Sequence, residues 1–282
     1  IADRVHSLAF TCYFYPALIL WTIVGAILAW PVLAWLIFAL RRPADKAARL
    51  LIWVYGRGWV LLASPFIRFR FQNLAPGSMP PGRIIVANHA SIFDTYCLGA
   101  MPNGDIAIIV RSWPFKIPGY APFMRLAGYL NSEESDYDAM LIWARKTLAQ
   151  GGSILCYPEG TRSKDGRLGR FHSGVFRLAL ETGAPITPFC LHGVRRMLPK
   201  GGFLLTPTAI TIHRLPDVDP ALFKTGKCTS ELKHIALRKH VKSIMKQTLL
   251  SLPHQSLSQG YVSEDDTNNQ SMTPQSTKHH GG

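Results

Sequence analysis

Acidic residues are scarce in this chain of 282 residues. Asp and Glu number 17 against 31 Lys and Arg, which gives a formal net charge of +14 and an isoelectric point near 9.8. Such an imbalance favours an anionic partner: a membrane surface, a phosphorylated ligand, an acidic carrier protein or nucleic acid. The basic residues are dispersed and no nucleic-acid-binding motif accompanies them, so nucleic acid is not an expected partner.

Cysteines are few and unpaired in the sequence. The five of them are scattered, without a C-x-x-C pair or any metal-ligand spacing. This pattern argues against a zinc site and predicts reduced, mostly buried thiols in a cytoplasmic compartment. We expect no metal and no resident cofactor. No internal repeat is evident.

Charge is absent from Leu8 to Leu40, a run of 33 residues. A membrane span needs about 20 apolar residues, and a straight helix of this length would be about 50 Å long. Pro16 and Pro31 interrupt the run, so it predicts either one tilted span or a kinked helical hairpin. Arg4 slightly favours the hairpin. The basic residues that follow the run, Arg41, Arg42, Lys46 and Arg49, indicate a cytoplasmic end.

The rest of the chain alternates strand-like and helix-like patterns. This alternation predicts an α/β fold: a single domain with a mixed sheet flanked by helices, preceded by a membrane-embedded helical segment. The predicted parts are a membrane segment at 1–43, an amphipathic helix at 44–65 that either lies in the membrane interface or packs on the core, the α/β domain at 66–252, and a disordered tail at 253–282. A basic helix at 229–250 is expected to pack on the domain, with contact to anionic lipid as the alternative.

A histidine and an aspartate follow the first buried strand. The run 84–87 is apolar, and the sequence N-H-A-S-I-F-D comes directly after it, so that His89 lies five residues before Asp94. A carboxylate that holds one imidazole nitrogen fixes the tautomer and leaves the other nitrogen free for proton transfer. His89 and Asp94 are therefore candidate catalytic residues, with a substrate hydroxyl as the third member of a triad. The alternative is a loop histidine beside an aspartate that caps a helix.

A second motif, Y-P-E-G-T-R-S at 157–163, follows another strand-like run at 153–156. Together the two motifs resemble the glycerolipid acyltransferase family, typified by 1-acylglycerol-3-phosphate acyltransferases, over roughly residues 60–215. That family carries N-H-x-x-x-x-D and, some seventy residues later, [FY]-P-E-G-T-R-S. The resemblance implies a membrane-bound O-acyltransferase that uses acyl-CoA or an acyl-carrier protein as donor. The active site is expected where the two strands end.

The motifs also supply candidate substrate-binding residues. Arg162 offers a planar fork that matches a phosphate, and Glu159 accepts hydrogen bonds from hydroxyls or backbone amides. Gly160 permits a tight turn. The remaining candidates are hydroxyls, an amide and two cations in the loop after the next strand: Thr161, Ser163, Asn88, Arg111 and Lys116.

The sequence departs from the family at one stretch. Relatives often carry G-x-[IV]-x-[IV]-[DN]-R, whereas this chain has Gly128, Asn131 and then no arginine. The expected product is phosphatidic acid, made at the sn-2 hydroxyl of 1-acylglycerol 3-phosphate on the cytoplasmic side of the cell inner membrane. The departure keeps open another lysolipid acceptor, such as a lyso-ornithine lipid. A non-catalytic basic membrane-binding protein is the other alternative.

Overall fold

The computed structural model describes residues 2–73, 75, 79–101, 104–163, 165–224 and 230–252, so the predicted tail lies outside the described residues. The helices are α1 Ala2–Phe38, α2 Ala44–Ala63, α3 Tyr120–Leu126, α4 Tyr137–Ala149, α5 Gly174–Thr182, α6 Val194–Met197 and α7 Ser230–Ser251. The strands are β1 Ile67–Asn73, β2 Ile84–Ala87, β3 Ile106–Val110, β4 Leu130–Asn131, β5 Ser153–Cys156, β6 Ile186–His192 and β7 Thr208–Arg214. Within these described residues, 3-10 helices cover Ile92–Ala100, Trp113–Lys116 and Pro220–Phe223.

The seven strands form one mixed sheet in the order β1-β7-β6-β2-β5-β3-β4. Every neighbouring pair is parallel except β6 and β7, which run antiparallel. Residues of β2 are buried throughout, as expected for a strand covered on both faces. The predicted mixed-sheet α/β fold with flanking helices is confirmed.

The sheet divides the core into two layers. On one side α1, α2 and the 3-10 helix Ile92–Ala100 pack around the fully buried Trp59. On the other side α4, α5 and α7 cover the sheet. Leu237, Val241 and Met245 of α7 are fully buried, so this helix packs on the domain as expected. Leu232, which the predicted apolar stripe included, is instead half-exposed.

The uncharged N-terminal run forms one continuous helix. Pro16 and Pro31 both lie inside α1, so of the two predicted alternatives for residues 8–40 the structure shows one continuous helix and not a hairpin. The chain turns back only after Phe38, and α2 then runs antiparallel along α1, with Trp21 against Tyr55. Within the described residues, α1 is the one helix whose length and composition would allow it to cross a membrane.

The N-terminal part of α1 is docked on the domain. Ser7, Phe10, Thr11 and Phe14 lie on one helix face and are buried. Phe10 stacks on Phe66 with ring centroids 4.8 Å apart. By contrast, most large apolar side chains between residues 19 and 38 are exposed.

Candidate active site

The two sequence motifs meet at the carboxyl ends of neighbouring strands. β2 and β5 pair in parallel, with Val86 opposite Cys156. The chain leaves both strands at the same edge of the sheet, so residues 88–94 and 157–163 form adjacent loops. A backbone hydrogen bond joins them directly, from the N–H of Ser163 to the carbonyl of His89 at 2.8 Å.

His89 and Asp94 form a hydrogen-bonded pair. Nδ1 of His89 lies 2.8 Å from Oδ2 of Asp94. The carboxylate is fully buried, whereas the imidazole keeps 20% of its side-chain surface exposed. Because a carboxylate accepts hydrogen bonds, the neutral imidazole carries its proton on Nδ1 and its lone pair on Nε2. The ring also stacks on Tyr157, with centroids 4.5 Å apart, which fixes its orientation.

Backbone amides hold the Asp94 carboxylate in place. Its Oδ2 accepts from the N–H groups of Ala90 at 2.5 Å and Ser91 at 2.8 Å, in addition to His89. Asp94 lies inside the 3-10 helix Ile92–Ala100, and its side chain accepts hydrogen bonds from the loop that precedes this helix. A helix-capping aspartate would instead lie before the helix and accept from amides inside it. Among the residues described, the second oxygen, Oδ1, has no hydrogen-bond partner although it is buried.

Glu159 fastens the two loops to each other. One oxygen accepts from the backbone N–H of His89 at 3.0 Å, and the other accepts from the N–H of Gly169 at 2.8 Å. Burial raises the pKa of Glu159, while these two amides oppose that shift. Both oxygens thus accept from backbone amides, which is one of the two predicted kinds of contact, and they position the loop that carries His89.

Three more predicted substrate-binding residues shape the loops. The Asn88 amide donates to the carbonyl of Leu191 at 3.0 Å and accepts from its N–H at 2.7 Å, extending the β2–β6 pairing by one side chain. The Ser163 hydroxyl donates to Asp165 and accepts from the N–H of Gly166. Gly160 adopts φ +67° in the turn, a conformation that favours glycine. These contacts position the two loops, and substrate contact by Asn88, Gly160 and Ser163 stays a prediction.

Arg162 is the uncommitted cation of the second motif. In the described part of the chain its guanidinium makes no hydrogen bond or ion pair, and its backbone carbonyl lies 3.4 Å from Nζ of Lys200. Thr161 beside it is exposed. A planar guanidinium in the loop that is hydrogen-bonded to the His89 loop can bind a phosphate through two oxygens.

Arg111 is not free in the same way. Its guanidinium pairs with Glu133 at 2.6 Å, and the Ser112 amide binds the other carboxylate oxygen at 3.0 Å. The amide of Ser112 and the charge of Arg111 together lower the pKa of Glu133 to about 2. The predicted phosphate contact of Arg111 therefore competes with an existing ion pair. Lys116 ends the 3-10 helix Trp113–Lys116 and is exposed.

Two contributors to the site were not predicted from the sequence. The Ser91 hydroxyl donates to the carbonyl of Leu198 at 2.9 Å, which ties the first motif to the segment after α6. Gly169 supplies an amide to Glu159. Ser91 lies inside the first motif, so its hydroxyl could have been considered from the sequence. The contribution of Gly169 comes from its backbone amide, which the residue type does not indicate.

Comparisons with known proteins agree with this architecture. A family model described as Acyltransferase matches residues 67–192. Two chloroplastic 1-acyl-sn-glycerol-3-phosphate acyltransferases, from Brassica napus and Arabidopsis thaliana, are 34% and 33% identical over 49% of this chain. The matched parts are 41% and 39% of those relatives, so the chain spans about two fifths of their length.

One solved structure is similar along nearly its whole length. It is the 1-acyl-sn-glycerophosphate acyltransferase PlsC from Thermotoga maritima, with a TM-score of 0.71 and 25% identity. The match covers 90% of this chain and 99% of that one. The matched region contains both motif loops and most of the sheet that carries them, so residues 67–192 form an acyltransferase-family domain, and the chain as a whole is similar to 1-acyl-sn-glycerol-3-phosphate acyltransferases.

Proposed function

We propose that this chain transfers a fatty acyl group from a thioester to the sn-2 hydroxyl of 1-acylglycerol 3-phosphate, giving phosphatidic acid. The observation that carries the proposal is the His89–Asp94 pair, with Nδ1 held at 2.8 Å and Nε2 free beside the motif loops. The printed names of the relatives, which include 1-acyl-sn-glycerol-3-phosphate acyltransferases, support this acceptor.

In the proposed reaction, Nε2 of His89 removes the proton of the acceptor hydroxyl as its oxygen attacks the thioester carbonyl. Asp94 stabilises the imidazolium that forms. The tetrahedral intermediate then collapses, the C–S bond breaks, and the imidazolium returns its proton to the departing thiolate. General base catalysis of this kind is worth about 10²–10⁴-fold, and positioning supplies further acceleration. No acyl-enzyme forms, because the nucleophile belongs to the substrate.

Arg162 is the proposed partner of the acceptor phosphate. Its guanidinium is uncommitted among the described residues, and its loop is hydrogen-bonded to the loop of His89. A desolvated phosphate needs compensating charge, which a planar fork supplies in two hydrogen bonds. Arg111 would contribute only by exchanging its Glu133 ion pair for the phosphate.

The protein is proposed to be attached to the cytoplasmic face of the cell inner membrane through α1. This helix contacts the domain near both ends, where Phe10 packs on Phe66 and Trp30 packs on Phe123 with ring centroids 4.8 Å apart. If α1 crossed the bilayer while keeping these contacts, Phe66 or Phe123 and the parts of the domain around them would lie in the hydrocarbon layer. We therefore favour an α1 that lies along the membrane, with its exposed apolar side chains in one leaflet.

A second acceptor class is favoured by one observation. Where relatives often carry an arginine after the aspartate or asparagine, this chain has Ser132 and Glu133 after Asn131, and the Glu133 carboxylate pairs with Arg111. Compared with relatives that carry this arginine, the site of this chain has one cation fewer and one anion more. Such a site is suited to a lysolipid whose head group carries less negative charge than a phosphate monoester. A lyso-ornithine lipid is such an acceptor.

The test is a thioester-consumption assay on detergent-purified protein with palmitoyl-CoA and 1-acylglycerol 3-phosphate. Wild type should form phosphatidic acid, and His89→Ala should lose at least about a hundredfold in rate. Equal rates in the two proteins would refute the mechanism. Parallel reactions with a lyso-ornithine acceptor, and with an acyl-carrier protein as donor, identify the substrates.

A further inference from the structure

A segment between α6 and β7 exposes two large apolar side chains close to α1. Phe203 and Leu204 keep 72% and 42% of their surface exposed. They belong to residues 198–205, which we call the bridging segment. Lys200, in the same segment, is also exposed. A phenylalanine and a leucine presented side by side with a lysine form a small amphipathic surface.

The bridging segment is fixed at both ends. At its start, the Leu198 carbonyl accepts from the Ser91 hydroxyl at 2.9 Å, next to the catalytic pair. At its end, the backbone N–H of Leu205 donates to the Thr11 hydroxyl of α1 at 2.9 Å. Both anchors lie in buried surroundings, since Ser91, Thr11 and Leu205 are each buried. The exposed tip is therefore held in a set place between the motif loops and α1.

Phe203 continues the exposed apolar face of α1. Its ring stacks on Tyr15 with centroids 4.9 Å apart and planes 17° from parallel, and the Tyr15 hydroxyl donates to the Phe203 carbonyl at 2.9 Å. Leu8 and Ile19, seven residues before and four after Tyr15, lie on the same helix face and are exposed by 54% and 60%. One apolar surface thus runs from the helix onto the bridging segment.

We propose that the bridging segment inserts Phe203 and Leu204 into the apolar layer of an anionic bilayer, with Lys200 at the lipid phosphates. The apolar surface that it shares with α1 supplies the hydrophobic contact, and Lys200 together with the net charge of +14 supplies complementarity to anionic lipid. The exposed apolar surface of α1 and the bridging segment is long and lies beside Lys200. This combination is complementary to an anionic lipid surface in shape and in charge.

The consequence for the acceptor rests on the proposed function. Because Leu198 is bonded to Ser91 and Lys200 to the Arg162 carbonyl, the inserted tip holds both motif loops at the bilayer surface. A single-chain lipid could then present its head group to Arg162 while its acyl chain stays in the apolar layer. The segment would act in membrane contact, and its residues take no part in the chemistry.

The experiment places a genetically encoded prodan-bearing amino acid in the full chain and measures its emission on vesicles. It replaces Phe203 in one variant, Leu204 in a second and Leu222 in a third. Leu222 is the matched control, since it is also 72% exposed but lies in the 3-10 helix Pro220–Phe223. The vesicles contain phosphatidylethanolamine and phosphatidylglycerol, with or without lipids that carry a nitroxide on the acyl chain.

The proposal predicts a blue shift and nitroxide quenching at positions 203 and 204, and neither at position 222. Phe203→Asp should also lower vesicle binding about tenfold or more, the scale expected for losing one buried aromatic ring, whereas Leu222→Asp should not. Emission at 203 and 204 that stays water-like on vesicles, or a lack of vesicle binding by the wild type, would overturn it. Since no acyl transfer is measured, this outcome is independent of the outcome of the activity assay.

Discussion

Two buried carboxylates hold the candidate active site, each in its own way. Asp94 gathers the imidazole of His89 and two backbone amides on a single oxygen. Glu159 bridges the backbone of His89 to that of Gly169 with its two oxygens. One carboxylate therefore sets the imidazole tautomer, and the other sets the position of the loop that carries it.

Replacing Glu159 by Gln should separate positioning from substrate contact. An amide presents one acceptor where the carboxylate presents two, so one buried backbone N–H loses its partner at a cost of about 1–3 kcal/mol. We expect a lower unfolding temperature in detergent for Glu159→Gln. The control is Glu133→Gln, because Glu133 is an exposed residue whose loss should change that temperature little. Equal unfolding temperatures for Glu159→Gln and wild type would contradict the positioning role.

His213 on β7 is a buried polar residue outside the site. In the part of the chain that the structure describes, neither ring nitrogen has a hydrogen-bond partner. Burial lowers the pKa of His213, and the nearby His192 lowers it further. The unfolded chain therefore takes up a proton near pH 6.5 that the folded chain does not, and folding stability falls as the pH drops through that value.

His213→Leu should remove this loss of folding stability at low pH. We expect the variant to be about 1 kcal/mol more stable than wild type at pH 7.5, because an unpaired polar ring is replaced by an apolar side chain. The gain should grow at pH 5.5. Thermal unfolding at the two pH values checks both statements, and a variant that is less stable at both would show that the ring has a partner.

At the scale of elements, close backbone contact joins α2 to the 3-10 helix that carries Asp94. A Cβ atom built on Gly99 would lie 2.1 Å from the carbonyl carbon of Gly56. Further along α2, the buried Arg49 pairs with Asp105 at 2.8 Å and with the Ala127 carbonyl. Asp94, the candidate catalytic carboxylate, therefore lies on an element that packs directly against α2.

Gly99→Ala should force these elements apart. Overpacking of this kind costs about 1–3 kcal/mol, and here both sides of the contact are backbone and cannot rotate away. Gly174→Ala is the matched control, because a Cβ atom there meets nothing within 4 Å. Thermal unfolding should show a clear loss for the first variant and almost none for the second. Comparable values would mean that the contact is looser than described.

The predictability of each element depended on its length. Strands β2, β3, β5 and β6 follow from apolar runs, and α2, α4 and α7 from helical spacing. The four residues of α6 and the two of β4 are too short to show a period. The sequence left one tilted helix and a hairpin open for the run that holds Pro16 and Pro31, because prolines favour breaks locally. Packing against α2 and the domain supports the continuous helix.

The same limit applies to the site. The two motifs predicted which side chains meet, and the His89–Asp94 contact follows from their spacing. The sequence alone does not show that Asn88, Glu159 and Ser163 form hydrogen bonds with nearby backbone and side-chain groups. An oxygen that can accept from a ligand can equally accept from an amide. It also did not reveal the Arg111–Glu133 pair, whose members lie 22 residues apart.

At the scale of the whole molecule, charge and apolar surface point to the same partner. The net charge of +14 should contribute an electrostatic attraction to anionic vesicles that salt weakens. The exposed apolar face of α1 should contribute a hydrophobic part of the binding free energy that salt does not weaken. Raising the ionic strength from about 0.1 M to 1 M shortens the Debye length from about 10 Å to 3 Å.

Vesicle binding should therefore weaken with salt on phosphatidylglycerol-rich vesicles and change little on phosphatidylcholine vesicles. Sedimentation of the full chain with each vesicle type at the two salt concentrations provides the measurement. The same salt response on both lipids would contradict an electrostatic contribution to membrane attachment.

His89 and Asp94 are proposed to act as one unit. The single-turnover rate of phosphatidic acid formation tests this for His89→Ala, Asp94→Asn and the double variant. Asp94→Asn should lose about 10³–10⁴-fold, because asparagine no longer fixes the imidazole tautomer. The double variant should be no slower than His89→Ala alone. Losses that multiply in the double variant would mean that the two residues act independently, and that the pair is not the general base proposed here.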